Sequence, residues 1–251
     1  MTASFLDIKQ GRRLAYQKLE GTGIPIIFLA GHGSDMLGSK AEALYLDCQT
    51  KNRPFIRFDY SGHAQSEGAF LDGNISQWTE DATESSQTLR DGPVIVVGSS
   101  LGGWVMLNLA KALSSKIAGL IGIAAAPDFT ETLIWNDLDD DQRQKMQDEG
   151  QIALPNPYAD EDVIYPYHLI TDGRNHLLLN DELAISCPII LHQGMEDHEV
   201  PWQTAIDIAN AVTSEDVTIN LIKKAGHRFS SEGEIKAIVA SVDRLYAKLV
   251  G

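Results

Sequence analysis

The sequence predicts an α/β protein: a mostly parallel sheet with helices on both faces, begun by an antiparallel hairpin. Three observations carry that expectation. Short apolar runs of strand length alternate with longer helix-compatible segments along most of the 251 residues. At residues 94–104, VIVVGSSLGGW, four branched apolar residues enter a Gly/Ser turn that leads straight into a helical run. Between residues 128 and 186 the alternation lapses, and it then resumes, which marks an insertion.

The elements follow in order. Residues 4–9 and 13–19 read as a hairpin with its turn at Gln10-Gly11. Residues 24–30 form an apolar strand, followed by the loop Gly31-His32-Gly33-Ser34-Asp35. A helix over about 40–51 leads to a strand at 54–60, and 75–90 suits a helix that Asp91-Gly92-Pro93 ends. After the 94–104 junction the helix continues to Leu113, and 117–125 is another buried strand, closed by Pro127. Within the insertion, 137–149 looks like a polar helix with acids in its first turn and Gly150 just past its end. Pro155, Pro157 and Pro166 then break the chain. The rest is a strand at 187–193, a helix at 202–211, a strand at 217–223 and a helix at 232–250. Ligands of such sheets sit outside the carboxyl ends of the strands. An insertion after the sixth strand is therefore expected to cover the site. The expected division is a core of 1–127 and 187–251 with a cap at 128–186.

Composition narrows the function classes. The net charge of −15 argues against nucleic acid or an anionic membrane as partner. Fourteen acids face three bases (Arg143, Lys145, Arg174) between Asp128 and Glu182, so most of that charge falls in the insertion. A solvated face explains it; a field disfavouring anionic substrates, or attracting a basic partner, is the sharper reading. The start MTASFLDIKQGRR has no apolar h-region, and no apolar run approaches the ~18 residues of a membrane span. A cytoplasmic protein is expected, with Cys48 and Cys187 as reduced thiols. No Cys/His spacing suggests a metal.

The chemistry starts at the 94–104 junction. Registered on Gly98 and Gly102, it reads G-x-S-x-G with Ser100 at the centre, a nucleophile elbow. The flanking glycines let strand and helix approach closely around a strained residue, and the helix aims its first amides at the same point. An incidental serine in a glycine-rich turn is the plain alternative, and the strand before and helix after favour the reactive one. A hydroxyl needs a base, and the base needs an acid to hold its tautomer. Of the histidines beyond the insertion, His192 lies inside an apolar strand and His198 adjoins the candidate acids. His227 stands just past the strand of INLIKKAGHRF, at the sheet rim. For the acid, PIILHQGMEDHEVPW offers Glu196, Asp197 and Glu199, which spacing alone does not separate. Oxyanion donors are expected from the amide of Leu101 and from His32 or Ser34 in the earlier loop.

These motifs resemble those of the alpha/beta-hydrolase superfamily. The resemblance narrows to its palmitoyl-protein thioesterase / mycophenolic acid acyl-glucuronide esterase group and bacterial relatives. It is carried by RLAYQKLEG, SDMLGSKA, FIRFDYSGH, GSSLGGW, GLIGIAAAPDFT, DGRNHLLL, HQGMEDHEVPW and KKAGHRF, spread over nearly the whole chain. It implies the alpha/beta-hydrolase fold, with Ser100 as nucleophile, Asp197 as acid, His227 as base and the His32 amide as oxyanion donor beside Leu101. The chain departs from the group's pattern at His32, where another aromatic is expected, and at Ala64, where glycine is common. Within the cap, Trp135, Tyr158 and Tyr167 are candidates either to face substrate or to form cap core.

The expected function is hydrolysis of carboxylic esters or thioesters through an acyl-serine, without cofactor or metal. The substrate is a small-molecule acyl ester or thioester, with S-acylated protein or acyl glucuronide as the specific classes the resemblance suggests. The rival readings are a lyase using the same side chains, an amidase, and a ligand-binding protein on the same scaffold.

Overall fold

The computed structural model describes residues 3–156 and 158–250; the break expected at Pro157 lies outside them. The chain runs through β1 (Ser4–Asp7), β2 (Arg13–Leu19), β3 (Ile26–Leu29), α1 (Ser39–Thr50), β4 (Phe55–Phe58), α2 (Ile75–Thr88), β5 (Val94–Ser99), α3 (Leu101–Ala112) and β6 (Ile117–Ile123). The insertion contributes α4 (Asp140–Glu149), β7 (Gln151–Leu154), β8 (Val163–Pro166) and α5 (Tyr167–Gly173). The core resumes with β9 (Ile189–Gly194), α6 (Gln203–Ala211), β10 (Val217–Ile222) and α7 (Glu232–Val250).

Eight of these strands share one sheet in the order β1-β2-β4-β3-β5-β6-β9-β10. β1 pairs antiparallel with β2 and β2 with β4; every later pairing is parallel. The expected hairpin and mostly parallel sheet are therefore present. Every residue of β3, β4 and β5 is buried, as a parallel sheet covered on both faces requires. The apolar runs overreach the strands by one or two residues: 24–30 holds β3 at Ile26–Leu29, and 54–60 holds β4 at Phe55–Phe58. The six parallel strands all point their carboxyl ends the same way, and the loops after β3, β5, β9 and β10 meet on that rim. Cys48 is buried, Cys187 half-buried, and both are free thiols. Among the described residues no helix is long and apolar enough to cross a membrane.

The insertion has a small core of its own, formed by Ile134, Leu138, Met146, Ile152 and Ile170. Its polar helix starts at Asp140 rather than 137, because Asp139 accepts the Gln142 amide at 2.8 Å and caps it, while Trp135–Asp137 forms a 3-10 turn. Gly150 ends α4 in the left-handed conformation at φ 75°. The antiparallel pair β7–β8 is not legible in the sequence: four residues each, the second ended by Pro166, carry too little alternation to register. Asp128 ties the insertion's two ends together. It sits at φ 61°, and its buried carboxylate accepts the amides of Leu178 at 2.8 Å and Leu179 at 2.9 Å.

His192, on β9, shows what burial does to a polar ring. Its Nε2 meets Ser241 Oγ of α7 at 2.9 Å, while buried Nδ1 has no partner among the described residues. Burial, then the nearby Arg244 charge, push its pKa down to about 4. The unfolded chain takes up this proton near pH 6.5 and the folded chain does not, so this stability is present above pH 6.5 and is lost as pH falls toward 4. The loss amounts to about 2 kcal/mol between pH 6.5 and 5. Urea unfolding at both pH values should show a flatter pH slope for His192→Gln than for wild type; equal slopes would contradict the assignment.

Candidate active site

The turn after β5 places Ser100 at φ 54°, ψ −119°, outside the regions L-residues favour. Such a conformation costs about 1–3 kcal/mol and persists only where its surroundings enforce it. Here the enforcement is visible. The Ser100 amide donates to Ile123 O at 2.9 Å, and its carbonyl accepts from Gly103 N at 2.8 Å and Ala126 N at 3.1 Å. The glycines on either side are required by close approach. A Cβ on Gly98 would stand 2.3 Å from Gly102 O, and one on Gly102 would stand 2.1 Å from Leu29 O. The first x of the motif, Ser99, is buried and belongs to β5, while Ser100 is partly exposed at the rim.

His227 follows β10 and brings its Nε2 to 2.9 Å from Ser100 Oγ. Its Nδ1 lies 2.9 Å from Asp197 Oδ2. The carboxylate can only accept, so Nδ1 carries the proton and Nε2 is left to accept from the serine hydroxyl. The structure separates the three acids that spacing left open. Glu196 is exposed and makes no such contact; Asp197 is buried against Nδ1; Glu199 is half-exposed, 3.9 Å from the other ring nitrogen. His198 is exposed and takes no part in this pair. Asp197 is fully satisfied: Oδ1 accepts the amides of Glu199 at 2.9 Å and Val200 at 2.8 Å, and Oδ2 also accepts Gln193 Nε2 at 2.9 Å. Burial alone would push this carboxyl up, but the His227 hydrogen bond and charge, with the two amides, outweigh it and hold it below its usual range.

The loop after β3 supplies the opposite wall. The Ser34 amide donates to Gly31 O at 3.1 Å and the Gly33 amide to His63 Nε2 at 3.2 Å. Of the amides of His32, Gly33 and Ser34, that of His32 alone has no acceptor among the described residues. The Leu101 amide, in the first turn of α3, has no acceptor in its own helix. His63 is buried, which lowers its pKa, and its Nδ1 faces Ser61 O at 3.3 Å. It is thus a neutral ring whose bare Nε2 fixes the loop. The His32 ring sits among aromatics, stacked on Tyr165 of β8 (centroids 5.7 Å, 16°), with Phe70 at 4.8 Å and Trp78 at 5.7 Å. Burial, then at low pH the repulsion of a protonated His63, push it down to about 3, so at neutral pH it is an uncharged aromatic wall.

The insertion reaches the same rim. Trp135 and Tyr167 pack on each other at 5.7 Å inside it, whereas the Tyr158 hydroxyl donates to Glu199 beside His227. Of the three candidates, then, two are half-buried against the insertion's core and Tyr158 borders the site. Four residues that shape the site were not read from the sequence. Gln193 sits in an apolar strand and His63 in a turn, while Tyr165 and Asp128 fall where the alternation lapses. Three of them fall inside stretches that carry the family resemblance, His63 in FIRFDYSGH, Asp128 in GLIGIAAAPDFT and Gln193 in HQGMEDHEVPW, but without a role attached; Tyr165 left no signal.

The alpha/beta hydrolase fold family model matches residues 25–159. The chain is 38% identical to the human protein named palmitoyl-protein thioesterase ABHD10, mitochondrial, over 98% of this chain and 80% of that one. The chain belongs to the alpha/beta hydrolase family. Among solved structures, this hydrolase matches mouse alpha/beta hydrolase domain-containing protein 10 at TM-score 0.92 and 35% identity, covering 99% of this chain and 100% of that one. It also matches a protein from Agrobacterium vitis S4 at TM-score 0.93 and 31% identity, covering 98% and 100%. The ABHD10 relatives correct one expectation. They are named as mitochondrial, against the cytoplasmic placement drawn from the lack of an apolar leader. The physical reason is plain: mitochondrial leaders are amphipathic and basic rather than apolar, so that lack says nothing about them.

Because His63 holds the β3 loop through Nε2, His63→Phe keeps an aromatic of similar size and removes the acceptor. Acyl-ester turnover is expected to fall about tenfold or more in kcat, with thermal unfolding close to wild type. An unchanged kcat would show that the loop holds its amides without this hydrogen bond.

Proposed function

We propose that this hydrolase cleaves carboxylic esters and thioesters through an acyl-serine, with Ser100 as nucleophile, His227 as general base and Asp197 as the acid that orients it. The observation that carries this reading is the unbroken chain of 2.9 Å contacts from Ser100 Oγ through both nitrogens of His227 to Asp197. Ser100 Oγ forms a bond to the acyl carbon while its proton passes to Nε2. The amides of His32 and Leu101 receive the negative oxygen, assisted by the N-terminus of α3. Collapse breaks the bond to the leaving oxygen or sulfur, which takes the proton from Nε2. Water then attacks the acyl carbon, gives its proton to Nε2, and Ser100 leaves with that proton as the carboxylic acid departs. Asp197 stays ionised throughout and stabilises the imidazolium.

Residues 128–186 act in this proposal as a cap. The support is twofold: Tyr165 stacks on His32, and Tyr158 meets Glu199 beside His227. Thioesters enter the substrate class because the relatives are named palmitoyl-protein thioesterases, and an S-acylated protein is the specific substrate that name suggests. The aromatic wall of His32, Phe70 and Tyr165 suits an uncharged acyl chain. An anionic acyl glucuronide would have to approach the acidic insertion and is the weaker candidate.

Two substitutions test the assignment. Ser100→Ala should leave the fold intact and lower turnover of a nitrophenyl acyl ester by about a thousandfold or more. Asp197→Asn keeps the shape, reverses the preferred tautomer of His227 and should lower kcat by about 10⁴-fold. Wild-type turnover in either purified variant would contradict these roles. A chain-length series of acyl esters against the matching thioesters, read as kcat/KM, then fixes the substrate class.

A further inference from the structure

We propose that Glu199 sets leaving-group specificity: the site favours esters and thioesters whose alcohol or thiol part carries positive charge and disfavours those whose leaving part is anionic. The inference rests on the acyl-serine reading and adds to it.

Geometry places Glu199 on the leaving-group side. His227 Nε2 must hand its proton to the departing oxygen or sulfur, so that atom has to come within hydrogen-bond reach of Nε2. Glu199 Oε2 lies 3.9 Å from this nitrogen. The first few atoms of the leaving group therefore pass within contact or near-contact distance of its carboxylate.

The carboxylate is also held for this purpose. The Tyr158 hydroxyl donates to Oε1, which leaves Oε2 turned toward the imidazole. The Tyr158 ring is held in turn by the Arg228 guanidinium, 4.0 Å from its centroid. Burial, and then the bond to Glu199, raise the Tyr158 hydroxyl's pKa, so it remains a donor. Among the described residues Glu199 makes no ion pair with a lysine or arginine; Arg228 stacks on the Tyr158 ring without a salt bridge to Glu199, and its field offsets only part of that charge. The other carboxylates on this loop have the same sign: Glu196 is exposed and Asp197 ionised against His227. A leaving group that brings a cation would find a carboxylate that no lysine or arginine pairs with, whereas an anion would be repelled by it.

Glu199 differs in role from Asp197. One faces Nδ1, buried and saturated with donors; the other faces Nε2, where substrate passes. Glu199 is a specificity-determining residue, and its readout is a ratio between substrates, which a general loss of activity does not move.

The test uses thioesters with one acyl chain and three thiol parts: cationic thiocholine, neutral N-acetylcysteamine and anionic 3-mercaptopropionate. Each kcat/KM is divided by the substrate's hydroxide-catalysed rate, which removes intrinsic reactivity. Wild type should prefer the cationic over the anionic substrate by about tenfold at low salt, and the preference should shrink as salt screens it. Glu199→Gln should reduce the cation-to-anion ratio by about tenfold, and Tyr158→Phe, which frees the carboxylate to turn away, by about two- to threefold. A Glu199→Gln ratio within twofold of wild type overturns the proposal. If that variant does not fold, a wild-type ratio that ignores salt, or a Tyr158→Phe ratio equal to wild type, overturns it instead. Hydrolysis of the neutral thioester by Ser100→Ala at the wild-type rate would sink the acyl-serine reading itself, whatever the ratios do.

Discussion

The backbone of one residue, Ser100, is the constraint on which the rest depends. At φ 54°, ψ −119° it cannot relax into α3 or back into β5. Its amide is spoken for by Ile123, and its carbonyl by Gly103 and Ala126. The strain is small beside the burial around it, in a sheet whose central strands are buried at every position. The packing that holds the turn also fixes where the serine oxygen points. Gly98 and Gly102 follow from this: each lies against a backbone carbonyl where a single methyl has no room. The elbow is therefore as much a packing solution as a reactive one. It puts the hydroxyl at the rim, while the first amides of α3 face the same point.

What meets Ser100 there is set by the sheet order. The parallel pairing of β3, β5, β6, β9 and β10 brings the loops that carry His32, Ser100, Asp197 and His227 to one edge, although Ser100 and His227 stand 127 residues apart. Each of these groups is then held by neighbours with no reactive part: Gln193 on Asp197, His63 on the His32 loop, Asp128 on the two ends of the insertion. Charge is distributed with the same economy. Asp197 keeps its charge despite burial because donors surround it, and His32 and His63 stay neutral because burial makes their protonation costly. Ser100 and His227 are thus flanked by an uncharged aromatic side toward Tyr165 and a negative side toward Glu199.

Much of this was legible in the order of residues. Buried parallel strands need continuous apolar runs, so β3, β5 and β6 declare themselves, and a Gly-x-Ser-x-Gly turn between a strand and a helix seldom arises by chance. His227 was readable because it stands just past a strand, at the sheet rim. The choice among Glu196, Asp197 and Glu199 was not, since all three share one loop and only burial tells them apart; the family resemblance pointed to Asp197, and the fold places it on Nδ1. The insertion was least legible. Its hairpin β7–β8 is short, and its contacts to the core, Tyr165 on His32 and Tyr158 on Glu199, join residues with no sequence relation. Cellular placement failed for another reason: an apolar leader is one kind of address among several.

The central claim is that the oxygen of Ser100, and no other, becomes covalently acylated. A fluorophosphonate reacts with a serine activated in this way by phosphonylating it, and peptide mass mapping locates the adduct. One adduct is expected, on Ser100, forming as esterase activity disappears, and none in the His227→Ala protein on the same timescale. An adduct on Ser99 or elsewhere that abolishes activity, or full turnover by a protein that cannot be labelled, would contradict that claim.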